Sequence, residues 1–300
     1  MAFLVRSFLR LLHRSGLFVV TAVWLSHAGC VRMSDRAVTT YFRNVPRKPS
    51  FHTLQTGDRT VHYAVMEVST PGVDAPGVDS LPVVVFVHGS PDGWHGYIQF
   101  FRDPTLYQQA RLVALDRPGF GKSGWGRPER SLSKQAAAVA AVISAVSPSG
   151  RAVVVGYSYG GPVAARLAMD FPDRVRSLIL VAPALDPDLE TWRWIRPVLS
   201  AFPVRALLPT AFNVSNQEIG ALRDELKQML PRWSSVRVPV QVIQGERDKH
   251  VPPGNAAFAR RVLVNAPVTI QMLPGENHFI PWRRPDTIHD AVLRAIIDPR

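Results

Sequence analysis

Residues 152–161 constrain this chain more than any other stretch. An apolar, β-branched run, Ala152-Val153-Val154-Val155, leads through Gly156-Tyr157-Ser158-Tyr159-Gly160-Gly161 directly into a helical pattern. A strand that becomes a helix within so few residues must bend sharply, and a Cβ two residues from the bend would collide with neighbouring backbone. Glycine at both flanks of Ser158 removes that obstacle. The serine hydroxyl is thereby pushed clear of the sheet. A helix beginning at Tyr159 aims its unpaired N–H groups and the positive end of its dipole at the same point. Such a turn is how a chain presents a serine nucleophile. Glycines and serines also meet in ordinary turns, so the meaning of the motif rests on partners elsewhere.

A catalytic serine needs a histidine base and a carboxylate to hold the imidazole tautomer, and behind a strand-to-helix turn both follow the serine in the chain. Residues 238–245, Val-Pro-Val-Gln-Val-Ile-Gln-Gly, read as a buried strand, and the loop at its end contains Asp248, the candidate acid, with Glu246 as its neighbour. Residues 268–273 read as a second strand; Pro274-Gly275-Glu276-Asn277-His278-Phe279 follows it and makes His278 the candidate base. Taken singly, Asp248 is an ordinary turn residue and His278 an ordinary surface or capping histidine. Ser158, Asp248 and His278 together, in this order and each just past a strand end, form a nucleophile, an acid and a base. His250 follows its strand too closely to be the base.

Short apolar runs at residues 82–87, 112–115, 151–155, 177–181, 240–243 and 268–273 suit strands buried on both faces. Helical patterns such as 133–146 separate them. That alternation predicts an α/β fold with a mainly parallel sheet flanked by helices. Residues 51–56 and 60–68 around Gly57-Asp58 predict an antiparallel hairpin ahead of it, and residues 69–80 a loop. The rhythm stops between Ala184 and Val238, where apolar residues at helical spacing are interrupted by Pro197, Pro203, Pro209 and Pro231. This predicts short amphipathic helices forming a cap. The expected organisation is a core of residues 51–184 and 239–300 with a cap at 185–238. At 46% hydrophobic content, 300 residues suffice for one large domain with such an insertion.

The chain resembles the α/β-hydrolase family from about Phe51 to Ile297. Beside the Ser158 turn, the resemblance is carried by Val83-Val84-Val85-Phe86-Val87-His88-Gly89-Ser90-Pro91, by Leu115-Asp116-Arg117-Pro118-Gly119-Phe120-Gly121-Lys122-Ser123, and by Phe171-Pro172-Asp173-Arg174-Val175. It implies that the backbone N–H groups of Ser90 and Tyr159 form an oxyanion hole. Relatives with aspartate at the turn form alkyl-enzyme esters; serine here implies an acyl-enzyme from an ester, thioester, amide or related carbonyl. Epoxide hydrolases of the family use cap tyrosines as electrophiles, and residues 185–238 contain no tyrosine. The expected partner is a small acyl compound with an apolar portion, and no cofactor is implied. A cleaver of C–C bonds, or a catalytically silent binding protein on the same scaffold, is the alternative; the complete triad argues against the silent one.

The amino terminus points to a location. Arg6, Arg10 and Arg14 precede the apolar residues 17–25, and Ser26-His27-Ala28-Gly29-Cys30 resembles the cleavage site of bacterial lipoproteins, whose cysteine is lipidated. Residues 1–29 then read as a signal peptide, Cys30 as the lipidation site and 30–50 as a basic tether to a membrane. A plain secretory signal and an uncleaved anchor are the alternatives. Cys30 is the one cysteine of the chain, as expected where a thiol is consumed by lipid. The net charge of +12 suits contact with anionic headgroups. No zinc-finger spacing, basic-helix register or aromatic RNA platform points to nucleic acid. His88, Asp92 and His95 lie close in sequence but match no usual zinc pattern, so no metal site is expected. His88 is assigned to its turn, and His62 and His289 to surface or packing.

Overall fold

The computed structural model describes residues 33–67, 81–147, 149–190, 199, 201–202 and 204–297. Among these, eight strands form one sheet: β1 (Ser50–Thr56), β2 (Arg59–Met66), β3 (Val83–Val87), β4 (Arg111–Leu115), β5 (Ala152–Tyr157), β6 (Val175–Val181), β7 (Val240–Gly245) and β8 (Val268–Leu273). Their order is β1-β2-β4-β3-β5-β6-β7-β8. The first two pairings are antiparallel and all others parallel. The hairpin turns at Gly57, whose φ of +60° lies where glycine carries no Cβ penalty.

Strand alternation divides the core into two layers. Val83, Val85 and Val87 face one side, together with Val113, Leu115 and Val154; helices α2 (Leu132–Val146), α3 (Gly160–Asp170), α4 (Thr210–Met229) and α5 (Gly254–Val262) cover it. Val84 and Phe86 face the other, against the aromatic segment Trp94, Tyr97, Phe100 and Phe101 and helix α6 (Pro285–Ile297). The expectation of strands buried on both faces holds for β3 and β5, which are buried throughout. It fails for β8, where only Leu273 is buried, because β8 is the edge strand.

The tether expected at 30–50 is in part folded structure. Helix α1 (Asp35–Tyr41) is capped by the Ser34 side chain, which accepts from the Ala37 N–H, and Asp35 sits favourably in its first turn. Val38 and Phe42, four residues apart on one face, are buried in the second core layer. Lys122 ties the start of the helix to the loop after β4 through Asp35, 2.9 Å away.

The cap region also differs from expectation where it is described. Pro209 and Pro231 bracket α4 rather than interrupting it, so residues 210–229 form one long helix. Ala211, Val214, Ser215, Glu218, Leu222, Leu226 and Met229 make its buried stripe. Pro197 lies outside the described residues, as do Pro203, the 69–80 loop, the 1–29 segment and Cys30. Among the described residues no helix is long and apolar enough to cross a membrane.

Candidate active site

Loops from the carboxyl ends of five parallel strands meet at one edge of the sheet, the usual place for ligands in an open α/β architecture. β5 ends at Tyr157, and Ser158 follows with φ of +53°, a left-handed conformation that costs a non-glycine residue about 1–3 kcal/mol. The surroundings hold it there: the Ser158 N–H donates to the Val181 carbonyl at 2.9 Å, and its own carbonyl accepts from Gly161 at 3.0 Å. The flanking glycines are required by close approach. A Cβ on Gly156 would lie 2.4 Å from the Gly160 carbonyl oxygen, and one on Gly160 would lie 2.1 Å from that of Val87. Helix α3 begins at Gly160, with Tyr159 as the residue before it.

The three residues singled out in sequence come together here. His278 Nε2 lies 3.0 Å from Ser158 Oγ, and His278 Nδ1 lies 2.7 Å from Asp248 Oδ2. Because a carboxylate only accepts, Nδ1 carries the proton, and Nε2 is left to accept from the serine hydroxyl. Asp248 is buried, but its charge is well solvated by the protein: Oδ1 accepts from the N–H groups of His250 and Val251, each at 2.8 Å, and Oδ2 also accepts from Gln244 Nε2 at 3.2 Å. Gln244, the penultimate residue of β7, went unnoticed in the sequence. Glu246 has no contact with His278 among these bonds, whereas the His250 ring packs 5.4 Å from the His278 ring. Tyr157, Phe279 and Trp282 complete an aromatic surround, with Phe279 and Trp282 partly open to solvent.

Beside the serine runs the loop after β3. A Cβ on Gly89 would fall 3.1 Å from Ser158 Cβ, so Ser90 and Tyr159, the two backbone donors implied by resemblance, flank the nucleophile. The Ser90 hydroxyl is buried without a hydrogen-bond partner. His88 is structural: it accepts on Nε2 from the Arg117 N–H at 2.9 Å, which leaves the proton on Nδ1, 2.7 Å from the Gly89 carbonyl. Burial, aided by the Arg117 charge, holds this imidazole well below the usual histidine range, so it stays neutral.

Sequence reasoning missed the role of Arg117. This fully buried guanidinium donates to the carbonyls of His88 (2.8 Å) and Gly89 (2.9 Å), to Gln135 Oε1 (2.6 Å), and to both carboxylate oxygens of Glu218 on α4 (2.8 and 2.9 Å). The signal was its place beside Asp116 in the motif loop; its partner lies 101 residues away. Asp116 organises that loop by accepting from His62 Nδ1 and from the N–H groups of Trp94 and Lys122, at 2.9–3.0 Å. His62 is thus a buried packing residue. His289 lies far from the triad, bound to Asp103 and Thr105. Among the described residues no group of His, Cys, Asp or Glu side chains could hold a metal ion.

A family model described as "alpha/beta hydrolase fold" matches residues 82–206. The chain is an α/β-hydrolase-fold enzyme. It is 26% identical over 254 residues to a 2-hydroxy-6-oxononadienedioate/2-hydroxy-6-oxononatrienedioate hydrolase of Burkholderia vietnamiensis, covering 71% of this chain and 86% of that protein. It is 30% identical over 186 residues to a lipase of Mycobacterium tuberculosis, covering 62% and 64% respectively. Several other curated relatives are matched over only about a third of their own length. Among solved structures, a bacterial membrane phospholipase A superposes with a TM-score of 0.62 at 20% identity over 99% of both chains.

Proposed function

We propose that this enzyme hydrolyses carboxylic esters or related acyl compounds through an acyl-enzyme on Ser158. The observation that carries the proposal is the unbroken relay from Ser158 Oγ through His278 to the buried, fully hydrogen-bonded Asp248. His278 takes the hydroxyl proton as Oγ attacks the carbonyl carbon; the Ser90 and Tyr159 N–H groups receive the charge that develops on the carbonyl oxygen. His278 then protonates the leaving alcohol. Water, deprotonated by the same imidazole, attacks the acyl-enzyme, and the acid leaves with Ser158 restored.

A hydrolase for a dicarboxylate such as the one in the Burkholderia enzyme's name is the second reading. It needs a cation free to meet a substrate carboxylate, and among the described residues the buried Arg117 behind the nucleophile loop is already matched by Glu218. The aromatic surround of Phe279 and Trp282 suits an apolar acyl or alcohol portion better. Ser158→Ala should fold normally and lose ester hydrolysis by about three to six orders of magnitude. Near-wild-type turnover of folded Ser158→Ala, or failure of a fluorophosphonate probe to label the wild-type serine, would sink the proposal.

We also propose that Cys30 is lipidated and holds the enzyme at a bacterial membrane. Mass analysis of the mature protein from a bacterial host should find a chain that starts at an acylated Cys30, and Cys30→Ser should lose that modification. A chain beginning at Met1, or an unmodified Cys30, contradicts this while leaving the chemistry intact.

A further inference from the structure

We propose that Arg117 is a positioning residue for the oxyanion hole, with Glu218 of the cap helix α4 fixing its grip; the inference rests on the acyl-transfer reading above. The link runs through one peptide plane. The Gly89 carbonyl and the Ser90 N–H belong to the same trans peptide unit and point in opposite directions, so whatever fixes the oxygen fixes the aim of the hydrogen. The Gly89 oxygen is held twice, by Arg117 Nη2 at 2.9 Å and by His88 Nδ1 at 2.7 Å. Both of its lone pairs are thereby engaged.

The guanidinium itself has no freedom to pivot. Its Nε donates to the His88 carbonyl at 2.8 Å, Nη1 reaches Gln135, and the two Nη atoms grip Glu218 in a fork at 2.8 and 2.9 Å. Its flat face lies 4.6 Å from the centre of the Tyr159 ring, so the same group also packs on the side chain of the residue that supplies the second N–H donor. Neither partner of the ion pair has any exposed side-chain surface. Well-packed apolar side chains often serve stability as well as a buried ion pair does, so stability alone gives weak reason for this one. Its place behind the Gly89–Ser90 peptide supplies a reason. The consequence is that α4 and the oxyanion hole form one mechanical unit: a shift of the cap helix would swing Glu218, then Arg117, then the Ser90 N–H.

The test compares Arg117→Lys, Glu218→Gln and the paired replacement Arg117→Met with Glu218→Leu in the full-length enzyme. Folding is checked by thermal unfolding, kcat and KM are measured on a p-nitrophenyl ester, and the inhibition constant is measured for an alkyl boronic acid, which forms a tetrahedral adduct on serine. The expected result is a fall in kcat of about ten- to a hundredfold, an equal fall in boronic acid affinity, and KM within about twofold. The apolar pair should restore the melting temperature without restoring kcat, a split that a merely structural role would not produce. Should the single variants fail to fold, the apolar pair decides alone: wild-type kcat or wild-type boronic acid affinity in that folded variant overturns the inference. Ser158→Ala run in parallel separates the two readings. If it keeps hydrolytic activity the acyl-transfer mechanism fails, whereas loss there with full kcat in the Arg117 variants removes only the clamp.

Discussion

Asp92 offers a test of the loop beside the nucleophile that needs no substrate. It follows Pro91 directly, is 8% exposed, and accepts from the Gly93 N–H at 2.8 Å. Burial pushes its carboxyl up from 3.8 to about 6, a rise only partly offset by His95, the Gly93 N–H and Arg117. The native state therefore holds the proton more tightly than the unfolded chain does. The stabilising contribution of protonation is complete below about pH 3.8 and is lost as pH rises through about 6. Two units at 1.36 kcal/mol each give a loss of about 3 kcal/mol above neutral pH. Asp92→Asn keeps the size and an oxygen for the Gly93 N–H but cannot ionise. Urea unfolding of both proteins from pH 4 to pH 8 reads the effect, because titrating groups that do not interact with Asp92 cancel in the difference. The variant should gain on wild type by about 2.5 kcal/mol across that range, most of it between pH 4 and pH 6 and little above. A difference between the two that stays constant with pH would refute the reasoning.

Gly160→Ala should cost more than about 3 kcal/mol and lower activity with it, since the new Cβ would sit 2.1 Å from a backbone oxygen of β3 that cannot step aside; urea unfolding and ester turnover measure both. Phe42→Ala should destabilise the enzyme by about 3–5 kcal/mol, the usual cost of emptying a buried phenylalanine site. A change near zero in its urea midpoint would mean that helix α1 does not belong to the fold.

How far the sequence can be read depends on the distance between the residues that carry each feature. The serine turn and strands β3 and β5 declare themselves within a few residues each, because a sharp bend needs glycine and a buried parallel strand needs an unbroken apolar run. Helix α1 was also written locally, in Ser34-Asp35 followed by Val38 and Phe42, but the arginines and lysines around it gave the whole stretch the composition of a linker. Local patterns say less about β8. Its alternation matches a strand, while its exposure follows from being last in the sheet order, which only the topology decides. The pairing of Arg117 with Glu218 left no local trace. Glu218 occupies the apolar stripe of α4, where a carboxylate looks misplaced until the cation from the β4 loop arrives beneath it.

Helix α1 changes what a lipid at Cys30 would mean. Its first residue, Asp35, is pinned by Lys122 to the loop after β4, on the same sheet edge that carries Ser158. From Cys30 to Ser34 the chain can stretch to no more than about 14 Å. An enzyme on so short a leash would drift in two dimensions, with the sheet edge that carries its mouth kept close to the headgroups. An ester rising from the leaflet would meet that mouth without first dissolving in water, and the rate of encounter would follow the surface density of the ester rather than its bulk concentration.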